Sequence, residues 1–144
     1  MSILFHLFLP VIASPMALPA PTCAEEVRAS AVANRLADLP PEIVEQLRAF
    51  SRSELGDSDG PLLSTDAPSA RERGYPTVRF HKGYKIGDQW FAQLEVAMFS
   101  GVRTLVYRRA AEDNKFHQEP WKYYAGPPCE SIKASLSGVL TPGS

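Results

Sequence analysis

A chain of 144 residues with 15 basic and 16 acidic side chains, 44% hydrophobic and 22% charged, has the composition of one globular domain. Its near-zero charge balance leaves no cationic surplus for a phosphate backbone, which argues against nucleic acid as a partner. A 10% aromatic content supplies a core and excludes wholesale disorder, and past the N-terminus no run of about twenty apolar residues is available to span a membrane.

Residues 1–20 contain no Asp, Glu, Lys or Arg, and the run from Ile3 to Ala13 reads as the apolar part of a secretory leader. Cleavage is expected after Ala20, with Ala13 and Ala24 as competing positions; Pro21 and the lack of a base near Met1 count against it. A short membrane anchor is the rival reading, but Pro10, Pro15 and Pro19 interrupt the segment. The expectation is a single domain over 21–144, exported to the periplasm or the cell exterior and not integral to a membrane once cleaved.

Cys23 and Cys129 are the only cysteines and stand near opposite ends of that domain. In an oxidising compartment they are expected to pair. A loop of this length is worth about 4.7 kcal/mol in the chain-entropy model. Two other readings are lipidation of Cys23, for which Pro21 and Thr22 are poor neighbours, and a reactive thiolate at a helix start.

The fold expected is α+β: two N-terminal helices, a four-stranded antiparallel meander and a short C-terminal helix. Thr22 and Glu25 have capping-box spacing, and Ala29, Val32, Ala33, Leu36 and Leu39 form an apolar stripe, which predicts a first helix to about Asp38. Pro40–Pro41 stops it and opens a second, with Ile43, Leu47 and Phe50 inward. Residues 54–76 lack a sustained period and are rich in turn formers, predicting a long loop. Asp57-Ser58-Asp59-Gly60 lacks the terminal Glu of a calcium loop.

After Pro76 the pattern turns to strands: Thr77–Lys85, Gln89–Phe99, Val102–Arg109 and Phe116–Tyr124, with Ser100–Gly101 as a two-residue turn. Cys129 begins the last helix, with Ile132 and Leu136 inward and Gly138 as its cap. The Ser100–Gly101 turn pairs Phe99 with Val102 and so places Gln93 opposite Arg108, with Glu95 diagonal to it. One face then holds Trp90, Ala92, Leu94, Val96 and Met98 beside Leu105 and Tyr107, with Arg103 and Arg109 towards its ends, and is core, packed by the helices. The other holds Phe91, Gln93, Glu95, Phe99, Thr104, Val106 and Arg108, too apolar for an ordinary solvated face. It is expected to be covered by the loop, used in a dimer, or open as a ligand surface.

Candidate chemistry is thin. Glu95, flanked by apolar side chains, could act as a general base, and His81 and His117 are the histidines of the mature chain, but a cross-strand ion pair accounts for Glu95 as well. His117 and Glu119 with Pro128-Cys129 lack the second cysteine of a zinc deaminase site, since Ile132 stands in its place. Nucleophile elbows, phosphate loops and His-Glu-x-x-His are absent. Residues 25–72 carry ten acids and five arginines, while 73–144 carry ten bases and six acids. The basic half clusters Arg103, Arg108, Arg109, Lys115 and Lys122 with Trp121, Tyr123 and Tyr124, suiting an anionic glycan, a headgroup or an acidic protein.

These features lead to a small exported binding or inhibitor-type module, with no cofactor and no metal, using the mixed sheet face and the long loop. Its partner would be an unidentified protein, a glycan or a small apolar or anionic ligand. The alternatives are a small enzyme built on Glu95, His81 or His117, and a structural homodimer subunit.

Overall fold

The computed structural model describes Pro10, residues 19–52 and residues 54–138, apart from the side chains of Trp121 and Lys122. The leader reading over 1–20 therefore lies almost wholly outside the described residues. The elements are α1 (Cys23–Glu26), β1 (Ala31–Ala33), α2 (Pro41–Phe50), β2 (Leu55–Gly56), β3 (Val78–Ile86), β4 (Gln89–Val96), β5 (Val102–Arg109), β6 (Phe116–Gly126) and α3 (Pro128–Ser137). Single 3₁₀ turns occur at Leu36–Asp38 and Glu72–Gly74. No described helix is long and apolar enough to cross a membrane.

The expected meander is present as β3–β6, all antiparallel, and the α+β class holds. Two short strands extend it beyond β3, β1 antiparallel and β2 parallel. The first predicted helix is corrected. Thr22 and Glu25 do form the capping box, but α1 lasts only four residues. Arg28 takes a left-handed φ of 57°. The Arg28 N–H then bonds the Glu25 carbonyl and the Ala29 N–H bonds Ala24, which closes the helix in a Schellman motif. From there Ser30 donates to the Lys85 carbonyl and Ala31–Ala33 pair with Lys85–Gly83, so sheet pairing overrides helical spacing. Asp38 accepts from the Asn34 and Arg35 N–H groups, and Asp57 accepts from Leu36, closing the following 3₁₀ turn.

α2 begins at Pro41 as its sequence dictates and buries Ile43 and Leu47, whereas Phe50, expected inward, is 40% exposed. With the 3₁₀ turn it covers the first sheet face, where Leu36, Leu39, Phe80, Trp90, Leu94 and Tyr107 form the main core. It also caps the edge of β6. Gln46 donates to the Phe116 carbonyl (2.7 Å) and accepts from the Gln118 N–H (2.9 Å), so one side chain stands in for a neighbouring strand.

The second face is covered too, which corrects the expectation that the helices pack on one side only. α1 and α3 lie over it, burying Val27, Tyr84 and Ile132 in one cluster and Phe91, Val106 and Tyr124 in another. Each large side chain so buried contributes about 1.5–3 kcal/mol. Leu136 is exposed rather than inward, and buried Ser131 shares the inner side of α3 with Ile132. Cys23 and Cys129 are disulfide-bonded across 106 positions, with Cα atoms 5.4 Å apart. Lys133 Nζ lies 2.9 Å from Glu26 Oε2 and adds a second tie between α1 and α3.

The register of the central hairpin is corrected as well. Gln93 pairs with Thr104 and Gln89 with Arg108, four positions from the pairing that a Ser100–Gly101 turn imposes. An even slip exchanges partners without exchanging faces, so the division into faces survives. β4 ends at Val96, and residues 97–101 make a wider turn, with Met98 at φ 67° and Gly101 at φ 82°. A Cβ on Gly101 would sit 2.5 Å from the Gly126 carbonyl oxygen, so glycine is required there by both backbone and space.

Candidate functional site

Four of the residues expected to form an open surface, Phe91, Gln93, Thr104 and Val106, are buried beneath α3. Their polar members form a directed chain. Gln93 Nε2 donates to Thr104 Oγ1 (3.2 Å) and to the Pro128 carbonyl (2.7 Å). The Thr104 and Ser131 hydroxyls are 2.6 Å apart, and Ser131 Oγ donates to the Tyr124 carbonyl at 3.0 Å. These groups fix α3 to the sheet rather than face a partner. The mixed face, too apolar for solvent, was open to reading as a ligand surface because sequence spacing does not reveal that α3 packs over it.

Arg108 and Glu95 do not meet. Arg108 Nε donates to Glu119 Oε1 at 2.8 Å on the neighbouring strand. Glu95 instead faces Arg79, its partner across β3, whose Nε donates to Glu95 Oε2 at 2.6 Å. A β-bulge between Phe80 and Lys82 leaves His81 as the extra residue and brings its Nδ1 to 3.7 Å from Glu95 Oε1. Arg79 also donates to the Gly60 carbonyl at 2.8 Å, which ties the long loop to this cluster. Burial pushes the His81 pKa below its ordinary value; Glu95 opposes that shift, while Lys82 and Arg79 add to it.

The structure thus joins two of the three expected acid–base candidates. His117 stands apart, 2.6 Å from Asp113. The Lys115 N–H and then His117 hold the Asp113 carboxyl below the usual carboxylate range. Among the described residues no group of three His, Cys, Asp or Glu side chains is placed to hold a metal ion.

Phe99 is the member of the expected set that does project into solvent. It is 65% exposed beside Met98 at 61%, at the tip of the 97–101 turn. The Arg103 guanidinium lies 5.1 Å from the Phe99 ring centroid and 5.4 Å from that of Tyr123, so it stacks on both. Next to this tip, Phe50, Arg52, Glu54, Val78, Val96 and Arg103 line a shallow cavity of about 350 Å³. Arg52, like Met98, holds a left-handed backbone, at φ 53°. Two non-glycine residues in that region, each costing about 1–3 kcal/mol, therefore flank one largely apolar surface on which two arginines outnumber one carboxylate, Glu54.

Met98 and Phe50, both expected to face the core, are exposed instead, and Arg103 was expected in the basic cluster rather than beside Phe99. The available clue was Ala97-Met98-Phe99, three apolar residues in succession that break strand alternation immediately before Ser100-Gly101. Comparisons with protein-family models, with curated proteins and with solved structures found no match to this chain.

Proposed function

We propose that this chain is a non-catalytic binding module of inhibitor type, exported to an oxidising compartment, that engages a protein partner through the sheet end bearing Met98 and Phe99. The observation that carries the reading is the exposure of those two large apolar side chains on a turn whose backbone is strained at Met98. Nothing in folding recommends that arrangement. Phe and Arg stacked together are the side chains that anchor protein interfaces, and Arg103 and Arg52 favour an acidic rim around the pocket that receives the tip. The Cys23–Cys129 disulfide supports a compartment in which such bonds persist.

The test is site-specific photocrosslinking in the native extracytoplasmic fraction, with a benzophenone amino acid at Phe99 and, as control, at exposed Ala111. The expected result is one discrete protein adduct from position 99, none from 111, and loss of the adduct when Met98→Asp is added. No adduct from position 99, or the same adducts from both positions, contradicts the reading.

A second reading, a small enzyme, is favoured by one observation: His81 and Glu95 approach within 3.7 Å at a β-bulge. A carboxylate and an imidazole so placed can pass a proton. Arg79 already engages one Glu95 oxygen and the other faces His81, an arrangement that a structural ion-pair network explains equally.

A further inference from the structure

A separate cavity opens beside α2 at the margin of the main core. Leu36, Leu39, Val44 and Leu55 form its apolar walls, supplied by the 3₁₀ turn, α2 and β2, and its volume is about 530 Å³. That size is typical of small-molecule sites. Leu36 and Leu39 are also members of the main core, so the floor of the cleft is held by the packing of the whole domain.

Two ionisable side chains line it, Asp57 and Arg48, and they are in different situations. Asp57 Oδ1 accepts from the Leu36 N–H (3.0 Å) and the Ser58 N–H (2.8 Å). That oxygen is fixed in the wall, and the Asp57 charge, which repels an anionic head, leaves Arg48 as the place for one. Arg48 is exposed, and its side chain forms no ion pair or hydrogen bond among the described residues. It follows Val44 by one helical turn, so the apolar wall and the free guanidinium lie in line along one side of α2. An apolar body beside Val44 and Leu55 would leave its head at Arg48, and the charge complementary to Arg48 is a carboxylate, which guanidinium binds through paired hydrogen bonds.

We propose that this cleft is a binding site for a small amphipathic carboxylate, an acyl or aryl acid, with its tail between Leu36, Val44 and Leu55 and its carboxylate on Arg48. The site is independent of the Met98–Phe99 surface. The site also gives the first part of the long loop a role, because Leu55 and Asp57 belong to it.

The experiment is methyl NMR of the disulfide-intact protein titrated with decanoate below its micelle concentration, with decanol and decylamine as matched probes. Saturable shifts confined to the methyls of Leu36, Leu39, Val44 and Leu55 are expected with decanoate. Arg48→Gln should weaken decanoate by about tenfold and leave decanol unchanged, as loss of one charge-assisted contact implies. Exposed Ala37 lines the mouth, so Ala37→Trp should block the cleft without disturbing core methyl positions. Unmoved methyls, equal binding of decanol or decylamine, or an Arg48→Gln variant with undiminished affinity would each overturn the proposal.

Discussion

At the scale of single residues, the informative groups are polar atoms placed where water cannot reach. The Tyr107 hydroxyl is fully buried in the main core without a hydrogen-bond partner among the described residues, and burial drives its pKa far above the ordinary phenol value. An orphaned hydroxyl costs about 1–3 kcal/mol, so Tyr107→Phe should leave stability unchanged or raise it by about 1 kcal/mol in urea unfolding. A loss of more than about 1 kcal/mol would show that the hydroxyl has a partner in solution. His81 gives a pH-dependent counterpart. Its folded-state pKa lies below the ordinary 6.5, so as pH falls the unfolded chain takes up the proton first and the native state is disfavoured. Wild-type stability should therefore drop more steeply than that of His81→Gln between about pH 7.5 and about pH 5.5. Asp113 shifts in the opposite direction and acts at lower pH, outside that window. Parallel urea midpoints across the window would contradict the assigned environment of His81.

Elements show where sequence and structure part company. α2, the four meander strands and α3 with its left-handed Gly138 cap were all legible, because proline, glycine and apolar spacing agree with the final packing. The segment after Val27 was not. Of its expected stripe Ala33, Leu36 and Leu39 are buried, through a strand and a 3₁₀ turn, whereas Val32 is exposed because strand pairing turns it away from the core. Arg28 makes the break without the glycine that usually marks one. Arg28→Gly should accordingly stabilise the protein by about 0.5–1 kcal/mol, read as a raised denaturant midpoint. A lowered midpoint would mean that the helix continues in solution. The candidate site was legible in the same partial way. Face membership within the strands followed from alternation and survived an even register slip, but alternation ends at Val96, so Met98, expected on the core face, is exposed beside Phe99. What covers the second face depends on α3, and its sequence gave no sign that Ser131 turns inward to bond Thr104.

On the scale of the whole molecule, a small sheet is covered on both faces, and the disulfide joins the two helices that close the second one. A cross-link spanning 106 positions restricts the unfolded chain strongly, worth about 2–5 kcal/mol. With both faces consumed by the core, functional surface is left at the sheet ends and in the clefts beside α2. The Met98–Phe99 tip is then a feature that folding does not require. Relief of the left-handed strain at Met98 by glycine gains about 1 kcal/mol, and loss of the exposed Phe99–Arg103 stacking costs about 0.5–1 kcal/mol, so the two nearly cancel. The most direct measurement is the thermal unfolding of a Met98→Gly, Phe99→Ser double variant against the parent chain. A Tm equal to or above that of the parent is the predicted result, since these side chains are held for a partner. A Tm lower by several degrees, as truncation of a core residue gives, would contradict the account and return both residues to the fold.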